Sequence, residues 1–330
     1  MSGQAINNRA MRTKAQGAAV VPSLPWKLRT IISFGMGGWK MRMTVIASLL
    51  VFTGAILHHQ NVRINAMEIS RGEDKAEARV TRFKVLCWNV HDLLLVSGPR
   101  KTRMASIAEA IKRRDPDVVV LQEAFVRSDR KAIQSGLKGT RLAHSIYFRS
   151  GLVGSGLFVL SAYPIEKAEF HRFTRNGKWY KPWHGDWWAG KGGSHTRLAI
   201  GTNGAGIDVY NCHMHAQYSR PLEYRADRTK QLEEFRKFID RTRKPREGAI
   251  IAGDFNCRIS DPEFGALKGL VNVEETLTET NGIDHIFFVS GKMGRYSAGG
   301  REIMKITTKH KGNEIEVSDH FGYLAEIGWE

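Results

Sequence analysis

Apolar positions recur along this chain with two periods, one of strands and one of helices. FKVLCWNV, Phe83 to Val90, is a compact apolar run bounded by polar residues and predicts a strand. KTRMASIAEAIKRRD then places Met104, Ile107, Ala108 and Ile111 on one helical face, and Pro116 stops the helix. In DVVVLQEAF the unbroken apolar run from Val118 to Leu121 predicts a strand buried on both faces. Further strands are predicted at GLFVLSAYPI, TRLAIG, IDVYNCHMHA, GAIIAGDFN, IDHIFFV, IMKITTKH and YLAEIGW. A long helical stretch from Pro221 to Arg243 offers Leu222, Ala226, Leu232, Phe235 and Ile239 as its core-facing stripe. Many strands with a few helices between them predict one large α/β domain of mixed sheets with helices outside.

Upstream the pattern changes. RGEDKAEARVTR, Arg71 to Arg82, has no apolar stripe, so 68–82 reads as a linker between an N-terminal segment, 1–67, and a domain spanning 83–330. MTVIASLLVFTGAIL, Met43 to Leu57, is fifteen residues without a charge, preceded by Lys40 and Arg42 and followed by His58, His59 and Arg63. That is short of the about 20 residues that span a bilayer. It matches the apolar region of a signal peptide, with small residues at Gly54, Ala55 or Ala66 as cleavage positions, and a start at Met41 would give an ordinary signal length. Competing readings are an uncleaved signal anchor with its basic end in the cytoplasm, an acid-free organelle transit segment, and a buried helix. The expected location is therefore secreted or periplasmic, or membrane-anchored through 43–57.

Charge sharpens the choice of partner without settling it. The 330 residues carry a formal charge of +17, and residues 1–67 hold eight Lys or Arg and no acid. Such a balance suits nucleic acid or acidic lipid headgroups. Three cysteines, Cys87, Cys212 and Cys257, lie in or beside apolar runs and read as buried thiols rather than a disulfide framework or a zinc site.

Several apolar strands end alike, in a carboxylate, amide or imidazole just past the last aliphatic residue. WNV supplies Asn89, LQEA Glu123, CHMH His213 and His215, GDFN Asp254 and Asn256, IDHI Asp284, and SDHF Asp319 and His320. Taken singly, Asp-Phe-Asn is a turn, Ser-Asp-His a cap and Glu123 a surface charge. Repeated at six strand ends, the pattern points to an active site, where a rigid scaffold aims short side chains inward. HGDWWAGKGGS, His184 to Ser194, superficially spells a phosphate-cradling nucleotide loop. Gly192 stands where Ser or Thr must reach the metal, no helix start follows, and Trp187 and Trp188 crowd the loop, so a nucleotide site is excluded.

With WN, QE, GDFN, ID and SDH in this order from Phe83 to Glu330, the chain resembles the magnesium-dependent endonuclease, exonuclease and phosphatase superfamily. The resemblance implies a DNase I-like four-layer α/β/β/α sandwich. It implies that Glu123 binds magnesium with help from Asn89, and that His213, Asp254 and Asn256 surround the scissile phosphate. His320, oriented by Asp319, would be the general base, with Asp284 supporting the site. The chemistry agrees, because magnesium prefers oxygen ligands and an imidazole near neutrality can take a proton from water.

Two stretches narrow the substrate. HAQY, followed by a long helix, resembles the HAEY segment of neutral sphingomyelinases, and GDWWAGKG resembles their GDWF-x-GK segment, departing at Trp188 and Gln217. This resemblance implies hydrolysis of sphingomyelin, in a membrane surface that also carries anionic lipid, to ceramide and phosphocholine. Asp186, Trp187, Trp188, Lys191 and His215 would be the substrate-binding residues, with Lys191 on the phosphate or paired with Asp186 in switching the loop, and the loop's glycines acting as hinges. Aromatics interleaved with Arg172, Arg175, Lys178 and Lys181 suit a bilayer headgroup boundary. The same mixture suits a single-stranded nucleic-acid groove or a cover for the sheet edge. The alternatives are a magnesium-dependent nuclease acting on DNA or RNA, or a phospholipase C-like or other phosphoesterase.

Overall fold

The computed structural model describes residues 67–70, 82–93, 97–178, 180–181, 184–201, 206–218, 222–271, 282–291 and 296–329. The strands are β1 (Met67–Ser70), β2 (Arg82–Asn89), β3 (Val118–Gln122), β4 (His144–Phe148), β5 (Phe158–Ser161), β6 (Ile165–Arg172) and β7 (Gly192–Ala199). They continue as β8 (Gly206–His213), β9 (Ala249–Asp254), β10 (Asp284–Val289), β11 (Tyr296–Met304), β12 (Thr307–His310), β13 (Asn313–Glu316) and β14 (Gly322–Trp329). The helices are α1 (Arg100–Arg114), α2 (Arg127–Gly136) and α3 (Arg225–Thr242), with short 3-10 turns at Gly185–Trp187 and Pro262–Leu267.

Two sheets form, in the orders β1-β4-β5-β3-β2-β14-β11 and β10-β9-β8-β7-β6, with β12-β13 a separate hairpin. Side chains on a strand alternate between faces. Phe83, Val85, Cys87, Val118 and Val120 therefore meet Val209, Ile250, Ala252 and Ile286 of the other sheet in one core. The intervening Leu86, Trp88, Val119 and Leu121 pack instead against Met104, Ile107 and Ile111 of α1 and Ile133 of α2. On the far side, Tyr210, Ile251 and Phe287 pack against Leu232, Phe235 and Ile239 of α3. Helix, sheet, sheet, helix is the four-layer sandwich expected from the sequence.

The sequence expectations differ from the structure at a few places. Residues 68–70 belong to the sheet rather than to a linker, because Met67–Ser70 pairs antiparallel with Ser145–Phe148. Helix α3 starts at Arg225, so Leu222 precedes it and is 56% exposed, and Ala226 faces outward. The three thiols are free and buried, as expected. The apolar run 43–57 lies outside the described residues, and among those described no helix is long and apolar enough to cross a membrane.

Candidate active site

Two parallel strand pairs bring the polar strand ends to one edge. β2 runs parallel to β3 with Asn89 opposite Gln122, and β8 runs parallel to β9 with His213 opposite Asp254. β10 is antiparallel to β9 and sets Asp284 opposite Asp254. β14 enters from the same edge, pairing Tyr323 with Cys87, so His320 just before it arrives beside them. The sheets are clasped below this point by a buried amide pair: Gln122 Nε2 donates to Asn211 Oδ1 at 2.7 Å, and Asn211 Nδ2 to the Leu121 carbonyl at 3.0 Å.

At the centre Asn89 Nδ2 donates to Asp254 Oδ2 at 3.0 Å and to Glu123 Oε1 at 3.3 Å. Its oxygen accepts the His91 backbone N–H, and Asn89, expected to help hold the metal, bridges the two carboxylates through its nitrogen. His320 Nδ1 meets Asp284 Oδ2 at 2.7 Å. Asp319, expected to orient His320, instead faces His91 Nδ1 at 3.4 Å. The His320 backbone is fixed as well: its N–H donates to Ser318 Oγ, and its carbonyl accepts the Trp88 indole N–H at 3.1 Å. Asn256 donates its backbone N–H to Asp254 Oδ1 and its side-chain amide to the Met214 carbonyl. His91, Glu123 and Asn256 all have positive φ, at 46°, 54° and 49°.

Burial opposes charge on His320, but its hydrogen bond to Asp284, with Asp254 and Asp319 nearby, outweighs that and pushes its pKa up to about 10. Burial likewise opposes charge on Asp254, and His213, His320 and Lys191 hold it below the usual carboxylate range. Glu123 gains too little from Lys191 and Asn89 to offset its burial, which raises it to about 7. Its Oε2 is buried with no hydrogen-bond partner. A desolvated carboxylate with one unpartnered oxygen, beside Asp254, fits a hard divalent cation. Ligand atoms of Asp254, Asp284 and His320 also lie within 4.8 Å of one another, but the Asp284 to His320 bond already closes that trio on itself. The cation therefore fits best on the Glu123 side.

The loop before β7 folds onto this centre. Lys191, 1% exposed, reaches Asp186 Oδ1 at 2.6 Å, His213 Nε2 at 2.9 Å and the Met214 carbonyl at 2.7 Å, which occupies all three ammonium donors. As placed, then, Lys191 pairs with Asp186 and has no donor left for a phosphate. Burial and Lys191 push His213 down to about 3, a neutral imidazole whose Nε2 accepts a proton contact instead of giving one. Asp186 also takes the Ala216 N–H at 2.8 Å and lies 3.1 Å from His215 Nδ1. His215, read as a substrate contact, is fully buried and stacks on Tyr224 at 3.8 Å, so it holds Asp186 rather than facing solvent. Trp187 and Trp188 meet edge to face, and Trp188 is 37% exposed. Gly190 serves close approach rather than hinging: a Cβ there would sit 2.0 Å from Ser150 Oγ and 2.4 Å from the Gly151 nitrogen.

Two sets of supporting residues escaped the sequence reading. Buried Arg103 of α1 donates to the carbonyls of Val90, His91, Ser97 and Val317, tying the loop after Asn89 to the one before His320. On α3, Arg228, Gln231 and Glu234 form a ladder three residues apart. Arg228 contacts the Gln217 amide oxygen and Glu263, Gln231 takes the His215 N–H and gives to the Arg175 carbonyl, and Glu234 takes the Thr174 N–H. The available signal was polar residues in register with Leu232 and Phe235 on the buried face of a helix.

Comparison with known proteins places this geometry. The model of the Endonuclease/Exonuclease/phosphatase family matches residues 86–320. A Drosophila melanogaster protein named for neutral sphingomyelinase activity is 34% identical over 270 residues, covering 74% of this chain and 60% of that protein. Sphingomyelin phosphodiesterase 2 of Rattus norvegicus is 32% identical over 203 residues, 61% of this chain and 47% of that one. The chain thus spans about half to three fifths of these relatives. A beta toxin of Staphylococcus aureus shares the fold, with a TM-score of 0.59 at 21% identity over 74% of this chain and 99% of that chain. A variant of the toxin, at TM-score 0.56 and 20% identity with the same coverage, was solved with bound magnesium ions. From its family match and the ordered strand-end residues that converge on one edge, the chain belongs to the Endonuclease/Exonuclease/phosphatase family.

Proposed function

We propose that this chain is a magnesium-dependent phosphodiesterase that hydrolyses sphingomyelin to ceramide and phosphocholine. The observation that carries the substrate reading is the contact of Lys191 with His213, which seats the sphingomyelinase-like GDWWAGK stretch on the phosphodiesterase centre. The names of the relatives support it, and the +17 charge suits a phosphate-rich surface.

Glu123 and Asp254 would hold magnesium, which when bound supplies charge to polarise the phosphoryl oxygen. Asp284 fixes the ring of His320 through Nδ1 and leaves Nε2 toward Asp254, at 3.9 Å, as the nitrogen available to attacking water. His320 holds its proton beside these carboxylates; with their charge offset its pKa would fall, Nε2 would give that proton to solvent, and the neutral ring could then take one from the attacking water. The Asn256 amide stands at the rim of the same centre as a hydrogen-bond donor. His213 would donate to phosphate only once Lys191 releases Nε2 and the ring's proton moves to that nitrogen, so the Asp186–Lys191 pair would govern how substrate is met. The apolar run 43–57 would either direct secretion as a signal peptide or anchor the domain at a bilayer.

The test offers purified full-length protein, with magnesium, sphingomyelin in detergent micelles and plasmid DNA in parallel. Release of phosphocholine, abolished by EDTA, is expected. Nicked plasmid without phosphocholine release would replace this reading with a nuclease.

A further inference from the structure

At the cleft two paired chains separate, and one buried side chain stands in the gap. The ladder between β2 and β14 ends at the pair Cys87–Tyr323. Beyond it, the chain leaving β2 turns toward β3: the Val90 N–H donates to the Gln122 carbonyl, and the Asp92 N–H to the Glu123 carbonyl. The chain entering β14 carries Val317 to His320. Arg103 of α1, 3% exposed, lies between them. Its Nε donates to the Val317 carbonyl at 2.6 Å and its Nη2 to that of Val90 at 2.7 Å. Its Nη1 donates to the carbonyls of His91 at 3.0 Å and Ser97 at 2.7 Å. One planar fork thus satisfies backbone acceptors of both chains where sheet pairing has stopped. The helix itself is docked by other means, because Met104, Ile107 and Ile111 pack against the first sheet.

We propose that Arg103 is a positioning residue for the hydrolysis, which fixes the distance across the cleft between the chain that carries Asn89 and the chain that carries His320. The inference deepens the phosphodiesterase reading and rests on it for its assay. Further contacts close the same joint. Ser318 Oγ donates to the Asn89 carbonyl at 2.6 Å and accepts the His320 N–H at 3.2 Å, and Trp88 Nε1 donates to the His320 carbonyl at 3.1 Å. The backbone of His320 is therefore held by the first sheet, whereas its ring is held from the second, through Asp284. A base held from two sheets keeps its alignment with Glu123 and Asp254 only while the gap between the chains is constant, and a shift of about 1 Å costs about 100-fold in rate. Buried and bonded to backbone alone, Arg103 acts through these chains rather than on substrate. Burial opposes its charge and lowers its pKa, while Asp92, Asp319, Glu123 and Asp129 favour that charge.

Arg103→Lys keeps the charge and loses the fork. In the full-length chain with magnesium and sphingomyelin micelles, kcat should fall about 10- to 100-fold while KM stays within about two-fold of wild type and the circular-dichroism spectrum is unchanged. Ser318→Ala opens the same joint from the other side, so the double variant should lose less than the product of the two single losses. A second readout needs no substrate. In protein with isotope-labelled histidine, the NMR signal of the His320 Nδ1–H, assigned by its loss in His320→Gln, should shift or broaden in Arg103→Lys. Unchanged kcat, a rise in KM alone, strictly multiplicative losses or an unmoved Nδ1–H signal overturns the proposal. Failure of both Arg103→Lys and Arg103→Gln to fold would assign the residue to the fold and overturn it as well. If the wild type released no phosphocholine, the substrate reading would fall, and the ring signal would still decide the role of Arg103.

Discussion

His320 Nδ1 is 2.7 Å from Asp284 Oδ2, while Asp319, its neighbour in sequence, faces His91. Asp284→Asn keeps the shape but removes the charge that sets the tautomer and orientation of the ring, and should lower kcat by about 10²- to 10⁴-fold. Asp319→Asn should stay within a few-fold of wild type. Steady-state kinetics of the two purified variants, with circular dichroism to confirm folding, checks the contrast.

Glu123→Gln removes the buried oxygen that lacks a partner and with it the favoured cation site. Calorimetric titration should show magnesium binding lost. Glu123 is raised to about 7 in the folded protein, so its ionisation opposes folding above the unfolded value near 4.5. The metal-free variant is accordingly expected to melt no lower than wild type at pH 8, and to gain nothing when magnesium is added.

Asp186→Asn leaves the Lys191 ammonium buried without its countercharge, a change that costs about 3 kcal/mol near neutral pH. The carboxylate is buried, which opposes its charge, but Lys191 and His215 outweigh this and hold it at about 2, below the ordinary 3.8. A depressed pKa stabilises the fold above the unfolded value and ceases to do so as pH falls through the folded one. The urea midpoint gap between wild type and variant should therefore be constant above pH about 4 and narrow toward pH about 2.

Gln231 fills one hydrogen bond from the His215 N–H and one to the Arg175 carbonyl, tying α3 to the segment after β8 and to the β6–β7 connection. Gln231→Leu should destabilise by about 2 kcal/mol through two groups left unpaired. Amide exchange at His215 should rise more than in the core strands. Retained protection of that amide would show that the ladder on α3 is not what holds the loop.

Strand-end chemistry was legible because each polar residue directly follows an apolar run whose length fixes where the strand stops, as at Val118–Gln122 before Glu123. Partnership across strands was not. Nothing local distinguishes Asp319 from Asp284 as the support of His320, since the choice depends on β10 pairing with β9 in a register that sets Asp284 opposite Asp254. Helix α2 was missed because RSDRKAIQSG carries too few apolar residues to show a stripe, and its buried face includes Asp129 and Arg130. The resemblance leaves Lys191 either on the phosphate or paired with Asp186, and the sequence alone does not show that it is buried. Its burial follows from Asp186 and Met214, which converge on it only in the folded loop.

The left-handed backbone at His91, Glu123 and Asn256 has a consequence for how this molecule tolerates change. A side chain in that conformation costs about 1 kcal/mol that glycine would not incur, and three such positions ring one cleft. Replacing any of them by glycine would relax the chain and at the same stroke remove an imidazole, a carboxylate or an amide from the cleft. Backbone stability and chemistry therefore pull in opposite directions at these three residues, and in this chain a functional side chain, not glycine, stands at each.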